Sequence, residues 1–315
     1  MITKIPYKDH AEWLEIRSKY IGGSDAGTIM GMNPYSSKYY LWCEKTGKIG
    51  PKEQTNAMRD GTYLEQMVAD YFCDVAGKKV QKCNFTLVNE EYPWACANVD
   101  RMIVGEDAIL ECKTTSSFPN LKKFKTGEFP DQWYCQCMHY LAVTGKKKAY
   151  LAAYDMVHRE LYTFELERDE AEIAILMAAE KSFMEGVYKN IPPALDGSEA
   201  TGDALNAIFD MSNPDAAKVD LFGFSEQLAH RKQIMDMIKE LDEQKKTVEN
   251  QIKLAMGEAE TGGIDEWSVS WKPQSRKSIN WKGLEAAGLM VTVAPYIEET
   301  CSRVLRITEK GARKK

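Results

Sequence analysis

The triplet Glu111-Cys112-Lys113, with Asp100 upstream, gathers the residue types that handle a phosphate ester. Carboxylates hold hard cations, and an ammonium neutralises charge on phosphate or, if its pKa is depressed, takes a proton from water. Residues 108–113 (AILECK) read as a short strand, because side chains in an extended chain alternate faces. Leu110 and Cys112 then share one face, and Glu111 and Lys113 the other. Residues 97–104 read as a partner strand, with Gly105-Glu106-Asp107 as the tight connection. One end of such a hairpin gathers two carboxylates and a lysine, a set suited to cations and an activated water in a metal-dependent phosphodiesterase. E-x-K alone is a weak signal, since exposed strand pairs of this kind are often surface ion pairs. Here it follows an apolar run, and a buried carboxylate requires a partner or a metal.

Two helices are placed to complete the set. Leu64, Met67, Val68, Tyr71, Phe72 and Val75 recur at helical spacing, and Gly77 supplies the stop. Glu65 lies about 90° from the centre of that stripe, at the edge of the face expected to be buried. A second helix is expected from 130 or 131 to 143, with Trp133, Cys137, Tyr140 and Leu141 as its apolar face and Gln136 on the border. Further strands are expected at 79–88, 149–156 and 160–167, a loop at 122–129, and a closing helix at 169–188.

Toward the N-terminus, residues 8–20 read as a helix that sets Trp13 and Arg17 at i and i+4. Ile21-Gly22-Gly23-Ser24-Asp25 breaks it, with Ser24 or Asp25 placed to cap a short following helix, and 37–45 form another. Residues 194–202 read as a linker or surface crossing. Beyond it, 225–259 hold no proline and one glycine. Ile234, Ile238, Leu241, Val248, Ile252 and Ala255 fit a 3.5-residue seam interrupted by Lys245, which predicts a long coiled-coil-like helix. Gly262-Gly263 would end it, before a strand carrying Trp267, Val269 and Trp271 and another near 302–307. The expected fold class is α/β: a mixed central sheet flanked by helices over 1–193, then a helical and β-hairpin extension over 194–315.

The chain's 315 residues suit two domains of about 150 residues each. A net charge of -6 speaks against a global basic field that draws in nucleic acid. An acidic cation site makes its own negative charge, however. Local basic clusters remain at Lys122, Lys123 and Lys125, at Lys146, Lys147 and Lys148, and at Arg313, Lys314 and Lys315. The eight cysteines include no C-x-x-C pair, against a zinc ribbon or iron–sulfur site. Reduced, buried thiols in a cytoplasmic protein are expected. No run approaches the ~20 apolar residues of a membrane span, and the N-terminus has no apolar signal-peptide core. A membrane is not an expected partner.

Taken in order, several segments resemble the motifs of the YqaJ-type viral recombinase exonucleases, relatives of phage lambda exonuclease in the PD-(D/E)xK nuclease superfamily. These are Trp13-Leu14-Glu15-Ile16-Arg17, Ile21-Gly22-Gly23-Ser24-Asp25, Gly61-Thr62-Tyr63-Leu64-Glu65, Asn98-Val99-Asp100, Glu111-Cys112-Lys113 and the stretch from Gln132 through Gln136 to Tyr140. The likeness covers about residues 10–190, and 193–307 resembles the C-terminal extension of some phage members less specifically. Val99 stands where the nominal proline of the "PD" element would be.

The resemblance implies a restriction-endonuclease-like core. It implies that Asp100 and Glu111 hold one or two Mg²⁺ (or Mn²⁺) ions, with the Cys112 backbone carbonyl as a further ligand. Glu65 would complete the shell directly or through water. An all-oxygen set favours magnesium over zinc. Lys113 would act on the attacking water as a base or serve as an electrostatic clamp, and Gln136 would bond the lysine or the water network. Arg17 and Ser24 would bind phosphate, including a 5′-terminal one, though Ser24 suits plain helix capping equally. Asp25 and His139 read as structural.

The implied reaction is in-line attack of water on one strand of linear duplex DNA from its 5′ end, releasing 5′-phosphomononucleotides and leaving 3′ tails for recombination. The implied partners are double-stranded DNA ends, a single-strand annealing protein, and copies of the chain in a trimeric ring. Two alternatives stand beside this reading. One is an endonuclease of restriction or repair type using the same residues. The other is a non-catalytic DNA-bound scaffold built on the long helix and on Lys272, Arg276 and Lys277.

Overall fold

The computed structural model describes residues 1–297 apart from 51–53, 211, 212, 214, 265, 266 and 277. Lys277, Cys301, the strand expected near 302–307 and the basic residues Arg313, Lys314 and Lys315 therefore lie outside the described residues. The first of two compact units runs from residue 1 to about 210. It opens with β1 (Ile2–Pro6), α1 (His10–Ser18), β2 (Ile21–Gly22), α2 (Gly23–Ile29), α3 (Lys38–Lys45) and α4 (Asn56–Ala76). Strands β3 (Val80–Lys82), β4 (Phe85–Asn89), β5 (Ala95–Ala97), β6 (Arg101–Ile103) and β7 (Ala108–Thr115) follow. Then come α5 (Phe118–Lys125), α6 (Asp131–Thr144), β8 (Lys148–Asp155), β9 (Glu160–Glu167), α7 (Glu170–Tyr188) and α8 (Glu199–Ile208).

A five-stranded mixed sheet in the order β3-β6-β7-β8-β9 carries the expected hairpin. Strands β7 and β8 run parallel, so the chain must cross over between them, and α5 and α6 make that crossover. On one face Ile109, Leu151 and Ala153 pack with Met138, Leu141 and Ala142 of α6. On the other, Ala108, Leu110 and Ala152 pack with Val68, Ala69 and Phe72 of α4. Strand β7 is thus covered on both sides, which explains the apolar run that leads into Glu111. Helix α6 is buried from Cys135 to Thr144, as a helix with apolar residues on every side must be.

A second sheet, β1-β4-β5-β2, brings the N-terminal segment alongside. Ile21 and Gly22 pair in parallel with Ala95 and Cys96, which delivers α2 onto α6. The approach is close because two glycines allow it. A Cβ on Gly27 would lie 2.9 Å from the Cα of Gln132, and one on Gly23 would lie 2.7 Å from Cζ of Tyr140.

Several expectations need correction. The single strand at 79–88 is two strands in different sheets, because the chain leaves the central sheet after Lys82 and re-enters the other at Phe85. The first half of the loop expected at 122–129 is helix: α5 starts with a proline in its first turn and buries Leu121 and Phe124. The supposed linker runs into α8, capped by Ser198, which buries Thr201 and Ala204 and donates from Thr201 Oγ1 to Ser37 Oγ at 2.8 Å. The first unit therefore continues beyond residue 193. The buried line of α4 is Val68, Ala69 and Phe72, while Met67, Tyr71 and Val75 are exposed, so the core-facing side is rotated toward Glu65. Ahead of α2, Asp25 rather than Ser24 does the capping, its Oδ2 accepting the Gly22 N–H at 3.0 Å.

The second unit comprises α9 (Ser225–Met256), the antiparallel hairpin β10 (Thr261–Ile264) and β11 (Trp267–Ser270), and the short helices α10 (Trp281–Ala286) and α11 (Met290–Val293). Helix α9 stops at Gly257, in left-handed conformation, and the glycines 262 and 263 expected to stop it lie inside β10. Its seam residues Ile238, Leu241 and Val248 are each more than half exposed. No helix among the described residues is long and apolar enough to cross a membrane.

The α2–α6 contact gives a direct check. Gly27→Ala should lower the unfolding free energy by about 1–3 kcal/mol, the usual size of an overpacking penalty. Gly202→Ala, with open space around its Cβ, should be neutral or slightly stabilising in α8. Urea titrations of the two variants measure the difference.

Candidate active site

The register of the central sheet decides where the acids point. Arg101 pairs with Leu110, and both face α4. Asp100, one residue earlier, therefore faces the α6 side together with Glu111 and Lys113. Its Oδ2 accepts the Cys112 backbone N–H at 2.7 Å, which ties the acid to the strand that carries the other two groups.

Glu111 is only 3 % exposed. Its Oε1 lies 2.7 Å from Lys113 Nζ and accepts from Gln136 Nε2 at 2.6 Å. Lys113 Nζ also donates to Gln136 Oε1 at 2.8 Å. Gln136 thus bridges acid and base through both ends of its amide. It is buried. Its Nε2 also donates to the Tyr140 hydroxyl at 3.1 Å, one turn along α6.

The charges are poorly compensated. The Asp100 carboxyl is held well above its ordinary pKa by burial first, then by the charges of Glu111 and Glu65, against Lys113 and the Cys112 N–H. Burial likewise raises Glu111, with Lys113 opposing and Glu65 adding. Burial alone would lower Lys113, but Glu111 and Asp100 outweigh it, so the side chain is held as the ammonium. Tyr140 is pushed well above the usual phenol range by burial and by the same two acids.

The third acid stands apart. Glu65 Oε1 accepts from Nη1 of Arg101, whose side chain is almost fully buried on the α4 face of the sheet. No group of three His, Cys, Asp or Glu side chains among the described residues is close enough to cage a metal ion. Of the four side chains expected to meet, the structure places Asp100, Glu111 and Lys113 on one sheet face, while an arginine holds Glu65.

The donor set nonetheless fits a hard divalent cation. Glu111 Oε2 is buried and has no hydrogen-bond partner among the described residues. An anionic oxygen in that position is costly unless a donor or a cation meets it. Asp100 adds a second carboxylate on the same face, and burial keeps the nearby Cys137 as a neutral thiol. The Cys112 thiol belongs to the opposite face, among the residues packed on the α4 cluster.

Arg17 and Ser24 do meet, the guanidinium Nη2 donating to Ser24 Oγ. Arg17 also stacks over Trp13 at 5.1 Å and lies 3.9 Å from Asp25. Two residues missed from the sequence organise this corner. Lys45, nearly buried, pairs with Asp25 at 3.1 Å and donates to the carbonyls of Tyr20 and Arg17 at 2.6 and 3.3 Å. Tyr140 lies against Gly23 on one side and Gln136 on the other, so the arginine corner and the acids share one wall. The i, i+4 spacing of Gln136 and Tyr140 was the available signal for the second residue. Lys45 had none. His139 is wholly buried, its Nδ1 2.8 Å from Glu180 Oε1 and its Nε2 2.9 Å from Cys96 O, in keeping with a structural part. A groove of about 360 Å³ lined by Met30, Met32, Tyr134, Met138, Ile175 and Leu176 shares none of the acid or arginine residues.

The raised Asp100 pKa carries a sign. The folded state keeps a proton that the unfolded chain releases near pH 4, so stability falls as pH rises from there toward the folded pKa. Asp100→Asn, which still accepts the Cys112 N–H, should raise the melting temperature in EDTA at pH 7 and flatten that decline. Thermal melts between pH 4 and 8 measure both.

Comparison with known proteins places the chain. The YqaJ-like viral recombinase domain matches residues 12–147. The uncharacterized protein YqaJ of Bacillus subtilis (strain 168) is 40% identical over 279 residues, 87% of this chain and 86% of that protein. Among solved structures, the alkaline exonuclease LHK-Exo of Laribacter hongkongensis is 21% identical with a TM-score of 0.49, covering 57% of this chain and 94% of its own. LHK-Exo in complex with dAMP gives 20% identity and a TM-score of 0.50 over the same shares. Likeness at that identity establishes a common fold.

Proposed function

The chain belongs to the YqaJ-like viral recombinase family, and from that membership and the geometry of the acids we propose that it is a metal-dependent DNA exonuclease. The observation that carries this reading is the orphaned, buried Glu111 Oε2 on the sheet face it shares with Asp100 and Lys113. Such a face has two uncompensated acids and one ammonium. It suits a divalent cation with a phosphodiester against it.

Asp100 and Glu111 would hold the cation, with the Cys112 carbonyl and Glu65 as further oxygen donors. A bound Mg²⁺ or Mn²⁺ supplies a hard Lewis acid that lowers the pKa of water and stabilises the leaving oxygen. Lys113, held as the ammonium by Glu111 and Asp100, faces the phosphate as a positive charge. A base role for it would require cations close enough to depress its pKa. Gln136 fixes the Lys113 and Glu111 side chains at once and so keeps both in register with the substrate. Arg17, oriented by Trp13, Asp25 and Ser24, offers a fork for the terminal 5′ phosphate.

This arrangement supports digestion of one strand of linear duplex DNA from a 5′ end, with release of 5′-phosphomononucleotides and 3′ tails left for a single-strand annealing protein. LHK-Exo binds dAMP, a nucleotide of that product class. A trimeric ring around the duplex would account for sustained digestion.

Wild-type protein with Mg²⁺ should degrade end-labelled linear duplex, faster with a 5′ phosphate than with a 5′ hydroxyl, and leave closed circles intact. Cutting of closed circles would establish an endonuclease instead. Asp100→Ala, Glu111→Ala and Lys113→Ala should each lose roughly 100-fold or more in rate, the scale of removing a charge-stabilising group. Activity that survives these substitutions would reject the assignment. Arg17→Ala should erase the preference for a 5′ phosphate, raising KM for phosphorylated ends while leaving hydroxyl ends nearly unchanged.

A further inference from the structure

Arg101 sits behind the acids on the opposite face of the sheet, and its guanidinium bonds three residues around them. Its side chain is 2 % exposed. One guanidinium nitrogen donates to Glu65 Oε1 and, at 2.6 Å, to the backbone carbonyl of Asp100. The other donates to Gln66 Oε1 at 3.0 Å. The arginine therefore grips the peptide of Asp100 from one side while the Asp100 carboxylate faces Glu111 on the other. It also ties the N-terminal half of α4 to the end of β6.

The partner it holds is the acid that stands apart. Glu65 is 28 % exposed along its side chain, so it can be reached from solvent, and its charge bears on both Asp100 and Glu111. We propose that Arg101 is a positioning residue that competes with a divalent cation for Glu65. While the ion pair stands, Glu65 serves a cation only through water, and affinity is set by Asp100 and Glu111. A cation that takes Glu65 directly must leave the guanidinium buried with only two neutral oxygens, the Gln66 amide and the Asp100 carbonyl. Stranding a buried charge in that way is strongly unfavourable. The arginine thus limits how much negative charge the site presents, and how many cations it holds tightly.

This rests on the cation-dependent reading of the acids, and calorimetric titration of Mn²⁺ into the full chain separates the two. Arg101→Gln should bind Mn²⁺ more tightly than wild type, by about fivefold or more, because a positive charge is removed beside the site and Glu65 is released to ligate. A merely structural role would weaken binding. Adding Glu65→Gln to Arg101→Gln should abolish the gain. Circular dichroism confirms that each variant is folded. Unchanged or weaker binding by folded Arg101→Gln overturns the proposal, as does a gain that survives in the double variant. If Arg101→Gln does not fold, Arg101→Met, uncharged and of similar length, takes its place with the same expected gain and the same overturning result. Glu111→Ala is titrated alongside. Wild-type affinity there would overturn the metal centre itself, whereas loss of binding there with no gain in Arg101→Gln overturns only the role of the arginine.

Discussion

Two carboxylates buried side by side against a single ammonium set the terms for the rest of the first unit. Asp100 and Glu111 share a sheet face, and burial alone pushes both toward the protonated form. Taking an ionised carboxylate out of water is expensive unless hydrogen bonds or an opposite charge meet it. Lys113, Gln136 and the Cys112 N–H meet all but one of the demands, and Glu111 Oε2 is what remains. That leftover demand, created by the fold and maintained by packing on both sides of β7, is what the proposed cation would meet. Helix α6 supplies the apolar wall and the bridging amide. Helix α4 supplies the opposite wall, and Glu65.

The same wall joins the acids to the N-terminal corner. Gly23 and Gly27 let α2 lie almost in contact with α6, where any larger residue would collide with Tyr140 or Gln132. Arg17 comes to rest near Tyr140 because β2 pairs with β5 and because Lys45 and Asp25 hold the loop around it. The proposed cation-holding end and the proposed phosphate-binding end are thereby fixed on one scaffold, at a separation that packing determines. That is the condition for a substrate strand to be read from its terminus.

Much of this was legible because period-two alternation is a strong constraint. Once residues 108–113 are a strand, Glu111 and Lys113 must share a face, and the short connection at 105–107 places Asp100 beside them. The segments whose partners are distant in sequence were not legible. Residues 79–88 alternate well enough for one strand, but membership of two sheets depends on β1 and β6, which no local pattern reveals. Helix α8 reads as a crossing because its polar surface dominates, and only its contact with Ser37 shows which two residues are buried. The arginine behind Asp100 went unremarked because a charged residue in a strand reads as surface, whereas Arg101 faces α4 and is enclosed by it. In the second unit the heptad seam of α9 was visible, and its stop was misplaced because a glycine pair signals a strand bend as readily as a helix end.

The most direct test of the central claim is to locate a cation. Crystals of the protein grown with Mn²⁺, measured at a wavelength where manganese scatters anomalously, should show a peak between the Asp100 carboxylate and Glu111 Oε2, within oxygen-ligand distance of both. A map with no peak there at saturating Mn²⁺, or with Lys113 still closing over Glu111 and the manganese bound elsewhere, would contradict it.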